Sequence, residues 1–240
     1  MFNEDEVVEK IKTFLKSRLN GKIAVLGVSS GIDSSLVLKL LSVSINTNKI
    51  KAIFMPDRFT RESDYDDIKA LEDNTGIRIE TINIEPVFSS FISILGHTDK
   101  KIEGNLRSRI RATILYYFAN QYNGLVIGTT NRTEYLLGYY TKFGDGACDI
   151  EPIEFLYKTD VRKISKYLGI PDSIINKKPS AGLWENQYDE DELSMPYDRV
   201  DQILIDIFDK NIRKDTDDYK KIIGIYNNSE HKRRMPETLN

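Results

Sequence analysis

Four short apolar runs, each followed by a stretch of helical periodicity, constrain this chain more than any other feature. KIAVLGV (22–28), IKAIFM (50–55), IRIETINI (77–84) and GLVIGTT (124–130) are rich in Val and Ile and bounded by turn residues, as buried strands are. Between them the spacing predicts helices over 33–45, 62–74, 86–95 and 104–122, with the polar stretch GHTDKKIEG as a loop between the last two. A leading helix over 4–19 carries Val7, Val8, Ile11, Phe14, Leu15 and Leu19 on one face and stops at Asn20-Gly21. Strands alternating with helices imply an α/β fold, a parallel sheet flanked by helices on both faces, with ligands at the carboxyl ends of the strands. After residue 139 the pattern breaks into loops and short helices, a helical C-terminal extension in which 177–196 reads as one long loop.

The 240 residues suffice for one sizeable core, and no repeat or low-complexity linker divides them, so one domain over 1–240 is expected. A net charge of −3 offers no basic field for nucleic acid, and no apolar run is long enough to span a bilayer. A single cysteine, Cys148, excludes an intramolecular disulfide and a four-cysteine zinc site. A cytoplasmic protein is the expectation.

GVSSGIDSS (27–35) joins the first strand to the second helix with almost no side-chain bulk. Strand, small-residue loop and helix together present backbone N–H groups and a helix N-terminus to an anion. The loop has neither the lysine of a Walker A sequence nor a GxGxxG pattern. Asp33 would repel a phosphate unless a magnesium ion stood between them. The plainer reading is that Ser and Asp cap the helix after a tight turn.

SSGIDSS resembles the pyrophosphate loop of the N-type ATP pyrophosphatases. EGNLRSRIRATILYYFAN, GTTNRTEYLLGYYTKFGDGACDIEPI, LYKTDVRKISKYLGIP, KKPSAGLWENQYDEDEL and HKRRMP follow in the order and spacing of the NAD synthetase family. The resemblance runs from about residue 20 to the end. It implies the adenine nucleotide alpha hydrolase-like fold, a homodimer, and a ligase that amidates nicotinic acid adenine dinucleotide (deamido-NAD). In that reaction the substrate carboxylate attacks the α-phosphate of ATP to give an acyl-adenylate and pyrophosphate, and ammonia then releases NAD and AMP. Ammonia is expected to come free, or from a separate glutaminase subunit.

The resemblance also implies roles. Gly27, Val28, Ser29, Ser30, Gly31, Ile32, Asp33 and Ser34 would hold the ATP phosphates, Lys158 and Ser180 would bind the triphosphate, and Thr129 would touch ATP. Asp33 and Glu134 would hold Mg2+, and with Lys158 would form the catalytic set. Arg109, Lys142, Asp149, His231 and Lys232 would bind deamido-NAD, the tail closing over it and being mobile without it. Asp145 and Asp149 are both candidates for the proton acceptor in the ammonia step.

Taken singly, these residues have ordinary readings: solvated lysines, a first-turn glutamate, a charged helix face. Two positions depart from the family. Ser30 stands where a second glycine is usual, so a positive φ there would cost energy that glycine avoids. Gly182 stands where relatives often carry Asp. The alternatives are another ligase of the superfamily, or a nucleotide-binding relative impaired in catalysis. A tRNA-thiolating enzyme usually carries paired cysteines and a basic surface, and both are missing.

Overall fold

Asn3 accepts a hydrogen bond from the Glu6 amide and starts α1 (Glu4–Leu19), which ends where Asn20 turns left-handed at φ 44°. Val8, Ile11, Leu15 and Leu19 bury one stripe of it. This computed structural model describes residues 3–180, 182, 184 and 189–239.

The four apolar runs form β1 (Ala24–Val28), β2 (Ile50–Phe54), β3 (Ile79–Thr81) and β4 (Leu125–Ile127), paired parallel in the order β3-β2-β1-β4. A single parallel bridge from Ile127 to Ile150 extends the β4 edge. Side chains alternate across the sheet with a period of two, so β1, β2 and β4 each feed two cores. Ala24, Leu26, Val28, Ala52, Phe54 and Ile127 face one core with α1, α2 (Ile32–Ser44) and α7 (Lys158–Tyr167). Val25, Ile53 and Val126 face the other with α4 (Glu85–Leu95) and α5 (Lys100–Gln121). The expected three-layer arrangement is therefore present, with α3 (Glu62–Thr75) connecting β2 to β3.

A third core belongs to the C-terminal helices. Leu136 and Leu137 of α6 (Arg132–Leu137) pack with Val200, Ile203 and Leu204 of α10 (Tyr197–Leu204) and with Tyr219 and Ile222 of α11 (Asp217–Asn228). Two short helices, α8 (Asp172–Ile175) and α9 (Asp189–Leu193), precede them, and α12 (Glu230–Arg233) follows.

Three expectations need correcting. The loop before α5 is shorter than its polar composition suggested, because the Asp99 side chain accepts from the Lys101 amide and starts the helix at Lys100. The segment 177–196 is not all loop, since Asp189–Leu193 is helical and Tyr197 Oη donates to Asp189 at 3.0 Å. The tail is docked rather than free. Lys232 Nζ donates to the carbonyls of Gly138 and Tyr140, each at 2.6 Å, and Arg233 donates to that of Leu136 at 2.9 Å, all at the open C-terminal end of α6. Gly138 permits this: its φ is +63°, and a Cβ there would lie 2.2 Å from Ser229 Cβ.

Arg107, 1% exposed, ties the second core to the loop after β2. Its guanidinium lies 3.4 Å from the Phe88 ring centroid and donates to Glu85 at 2.8 Å. Arg111 donates to Asp57 at 2.9 Å and to the Met55 carbonyl at 3.0 Å. Among the described residues no helix is long and apolar enough to cross a membrane.

Candidate active site

The chain passes from β3 at one edge of the sheet to β4 at the other, so the strand order reverses between β1 and β4, where an open parallel sheet leaves a crevice beyond the carboxyl ends. A cleft of about 1110 Å³ opens at that point. Residues 27–34, Thr129, Glu134, Lys158, Ser180, His231 and Lys232 line it. Arg109, Lys142 and Asp149 do not.

The loop between β1 and α2 is held mostly by its own serines. Ser34 Oγ accepts from the Ser29 amide at 3.1 Å, and Ser35 Oγ donates to the Gly31 carbonyl at 2.7 Å. No side chain caps α2 at Gly31, so its first-turn N–H groups are left for the cleft. Ser30 adopts φ +61°, the left-handed turn that glycine would take more cheaply, and is buried.

Asp33 lies in the first turn of α2, Glu134 in the first turn of α6 and Lys158 at the first position of α7. Three helix starts thus meet in one place. Lys158, 3% exposed, puts Nζ 2.5 Å from Asp33 Oδ2 and 2.9 Å from Glu134 Oε1. Burial opposes the lysine's charge, but the carboxylates of Asp33 and Glu134 outweigh it and hold its pKa above the ordinary value. Burial, and then the charge of Asp33, push the Glu134 carboxyl upward despite Lys158. Two carboxylate oxygens converging on one cationic atom can share one cation, and an all-oxygen pair of this kind suits magnesium beside phosphate. The donor set therefore fits Mg2+.

The supporting residues were not found by sequence reading. Asn131 donates through Nδ2 to Asp33 Oδ1 at 2.8 Å and accepts from the Glu134 amide at 3.0 Å. Glu134 Oε2 accepts in return from the Asn131 amide at 3.3 Å, completing a capping box. The N-x-x-E spacing was the available signal. Thr133 Oγ1 accepts from the Lys158 amide at 3.0 Å and donates to the buried Asp201 at 2.5 Å. Asp201 also accepts from the Thr159 amide at 2.8 Å, which fixes the start of α7. It lies 68 residues from Thr133, and no local pattern marks it.

The remaining candidates flank the cleft. Arg109 Nη2 donates to the Lys142 carbonyl at 3.3 Å, and Lys142 Nζ to the His231 carbonyl at 2.5 Å, a chain running from α5 to the tail. Asp149 accepts from the Val126 amide at 2.7 Å, outside the cleft lining. Asp145 does line it, fixed through Oδ1 by Ser108 Oγ at 2.6 Å and the Thr141 amide at 2.9 Å.

Parallel sheet, uncapped helix start, small-residue loop, and a lysine between two carboxylates define a nucleotide-binding α/β protein of the ATP-pyrophosphatase type. The sequence pattern described as NAD synthase matches residues 6–236, and this chain belongs to that family. It is 59% identical over 235 residues to the NH(3)-dependent NAD(+) synthetase of Picrophilus torridus, covering 98% of this chain and 94% of the relative. Among solved structures it resembles an NMN synthetase from Francisella tularensis (TM-score 0.90, 35% identity) and an NH3-dependent NAD synthetase from Campylobacter jejuni (TM-score 0.86, 28% identity). Each similarity covers 100% of both chains.

Proposed function

We propose that this chain is an ATP-dependent ligase that amidates deamido-NAD with ammonia, giving NAD, AMP and pyrophosphate through an acyl-adenylate. The observation that carries this reading is the Asp33–Lys158–Glu134 cluster beside the uncapped start of α2. A carboxylate is a poor electrophile, and adenylation converts one of its oxygens into part of a leaving group. Loop N–H groups at 27–34 bind the polyphosphate and meet the charge that develops on pyrophosphate. Lys158 and Ser180 face the same phosphates, and Thr129 touches ATP from the end of β4. Asp33 and Glu134 would hold magnesium, which supplies further charge neutralisation on the phosphates when bound. The dinucleotide extends toward His231 and Lys232, and its far end toward Arg109, Lys142 and Asp149. Of the two acids considered for the ammonia step, Asp145 is favoured, because it alone lines the cleft.

A homodimer belongs to this reading. Val87, Phe91, Ile94 and Leu95 form an exposed apolar stripe on α4, continued by Ile102 and Tyr117 of α5, the helix that carries Arg109. A surface of this kind favours self-association, and would bring a second chain close to the residues outside the cleft. A cytoplasmic location goes with ATP as substrate.

The test is product analysis with ATP, magnesium, ammonium and deamido-NAD. AMP, pyrophosphate and NAD are expected in equal amounts, and ADP with phosphate would overturn the assignment. The likeness to an NMN synthetase calls for a parallel arm with the corresponding mononucleotide. A higher kcat/KM for the mononucleotide would move the substrate assignment to that smaller acid.

A further inference from the structure

The left-handed turn at Ser30 is held from outside its own loop. Ser30 Oγ donates to Asp64 Oδ1 at 2.9 Å and accepts from Lys177 Nζ at 3.1 Å. The same ammonium lies 3.3 Å from the Ser30 carbonyl, 2.9 Å from Asp64 Oδ1 and 2.5 Å from Asp67 Oδ2. Asp64 is oriented by the Arg61 amide at 2.9 Å, and Asp67 by Ser173 Oγ at 2.7 Å. Four parts of the chain are thereby joined: the loop after β1, the first half of α3, α8, and the start of the segment that carries Ser180. Asp64 and Lys177 both line the cleft, at its phosphate-loop end.

Neither end of this contact is needed to neutralise the Asp33 cluster, which has Lys158. The Ser30 hydroxyl is already engaged as donor and acceptor, so it is not an extra phosphate donor. The Lys177 ammonium is surrounded by four protein oxygens and cancels two carboxylates that would otherwise repel an incoming polyphosphate. Burial opposes ionisation of Asp64, yet the bonds from Lys177, the Arg61 amide and Ser30 bring its pKa below the usual value, so this carboxylate is ionised at neutral pH.

We infer that Lys177 and Asp64 form a latch that holds Ser30, and with it the phosphate-binding loop, in the left-handed turn ATP requires, making Lys177 a positioning residue for ATP. The latch explains how a serine is tolerated at a turn that favours glycine: the hydroxyl returns through two hydrogen bonds what the backbone loses to strain. It also couples the loop to the 177–180 segment, so that both phosphate-contacting stretches move together.

The inference rests on the ligase reading, and its test separates the two. In the full-length enzyme, Lys177→Met is expected to raise the KM for ATP about tenfold or more, the scale of a charged hydrogen bond. The KM for deamido-NAD should change less than about threefold, and Lys177→Arg should restore most of the ATP affinity. The decisive measurement is the double-mutant cycle with Ser30→Gly, where the turn is unstrained and the hydroxyl absent. There the effect of Lys177→Met on ATP should shrink at least about threefold. An equal factor in both backgrounds, or an equal rise in both KM values, would refute the latch. Should Lys177→Met fail to fold by circular dichroism, Asp64→Asn carries the same cycle. Calorimetric titration with a non-hydrolysable ATP analogue reads the cycle without turnover, so a failed ligase assignment leaves this test intact.

Discussion

Replacing Lys158 with methionine tests whether the lysine is the counter-charge of a buried cluster or an ordinary surface cation. Methionine keeps the unbranched shape and removes only the ammonium. Among the described residues that ammonium is the one cationic group in hydrogen-bond contact with both Asp33 and Glu134. Breaking a buried ion pair by removing one partner costs about 3–5 kcal/mol, because the other charge is left uncompensated. For a chain of this size that corresponds to a fall in Tm of roughly 6–20 °C. The loss should depend on pH. Glu134 has its folded pKa raised above the unfolded value of 4.5, and without Lys158 it rises further. An acid raised in this way holds a proton when folded that the unfolded chain has released. Its contribution is therefore complete at low pH and is lost as pH climbs from 4.5 toward the raised value. Thermal unfolding of Lys158→Met followed from pH 6 to pH 9 should accordingly show a Tm deficit that widens with pH. Adding Glu134→Gln removes the group whose ionisation makes the deficit grow, so the double variant's deficit should no longer widen with pH while turnover stays abolished. A deficit below about 1 kcal/mol at pH 8, or one that Glu134→Gln deepens, would refute the reasoning and return Lys158 to a solvated surface role.

Asp33→Asn and Glu134→Gln should each remove most turnover with the circular dichroism spectrum unchanged, and added magnesium should partly rescue the weaker variant. Near-normal rates for both at low magnesium would reduce these carboxylates to helix caps. Gly138→Ala introduces a side chain at φ +63° and against Ser229, so it should destabilise the protein by about 2 kcal/mol or more by denaturant titration. It should also loosen α12 enough to speed proteolysis after Lys232, and an unchanged cleavage rate would contradict the docking described. At the start of α4, burial opposes ionisation of Glu85, but hydrogen bonds from Arg58 and Arg107 bring its carboxyl down to about 2. A depressed acid contributes stability above its unfolded value and loses it as pH falls from 4.5 toward 2. Glu85→Gln should therefore lower neutral-pH stability by about 1–2 kcal/mol and flatten the acid limb of the stability profile.

By itself the sequence determined the elements and the place of the loop. Val8, Ile11, Leu15 and Leu19 specify a helix because burial repeats every three to four residues. Val25 and Leu26 specify a two-sided strand because neighbouring side chains point to opposite faces. The small residues of 27–35 announce a close backbone approach, since few other side chains leave room for one. Ser30 could be recognised as the residue to question, because positive φ is a local property of the backbone. Asp99 could have been recognised as a cap, but the polar run around it masked the start of α5. The tertiary structure alone decided which of these residues meet. Lys158 lies 125 residues from Asp33, and Lys177 lies 147 from Ser30. Neither partnership leaves a trace in the neighbouring sequence. Arg109, Lys142 and Asp149 share the cleft residues' motifs yet lie outside the cleft, because a motif fixes order along the chain and not the direction a surface faces. The physical reason is the same throughout. Periodicity and backbone conformation are set within a few residues, whereas a buried charge finds its partner only after the sheet has brought distant helix starts to one edge.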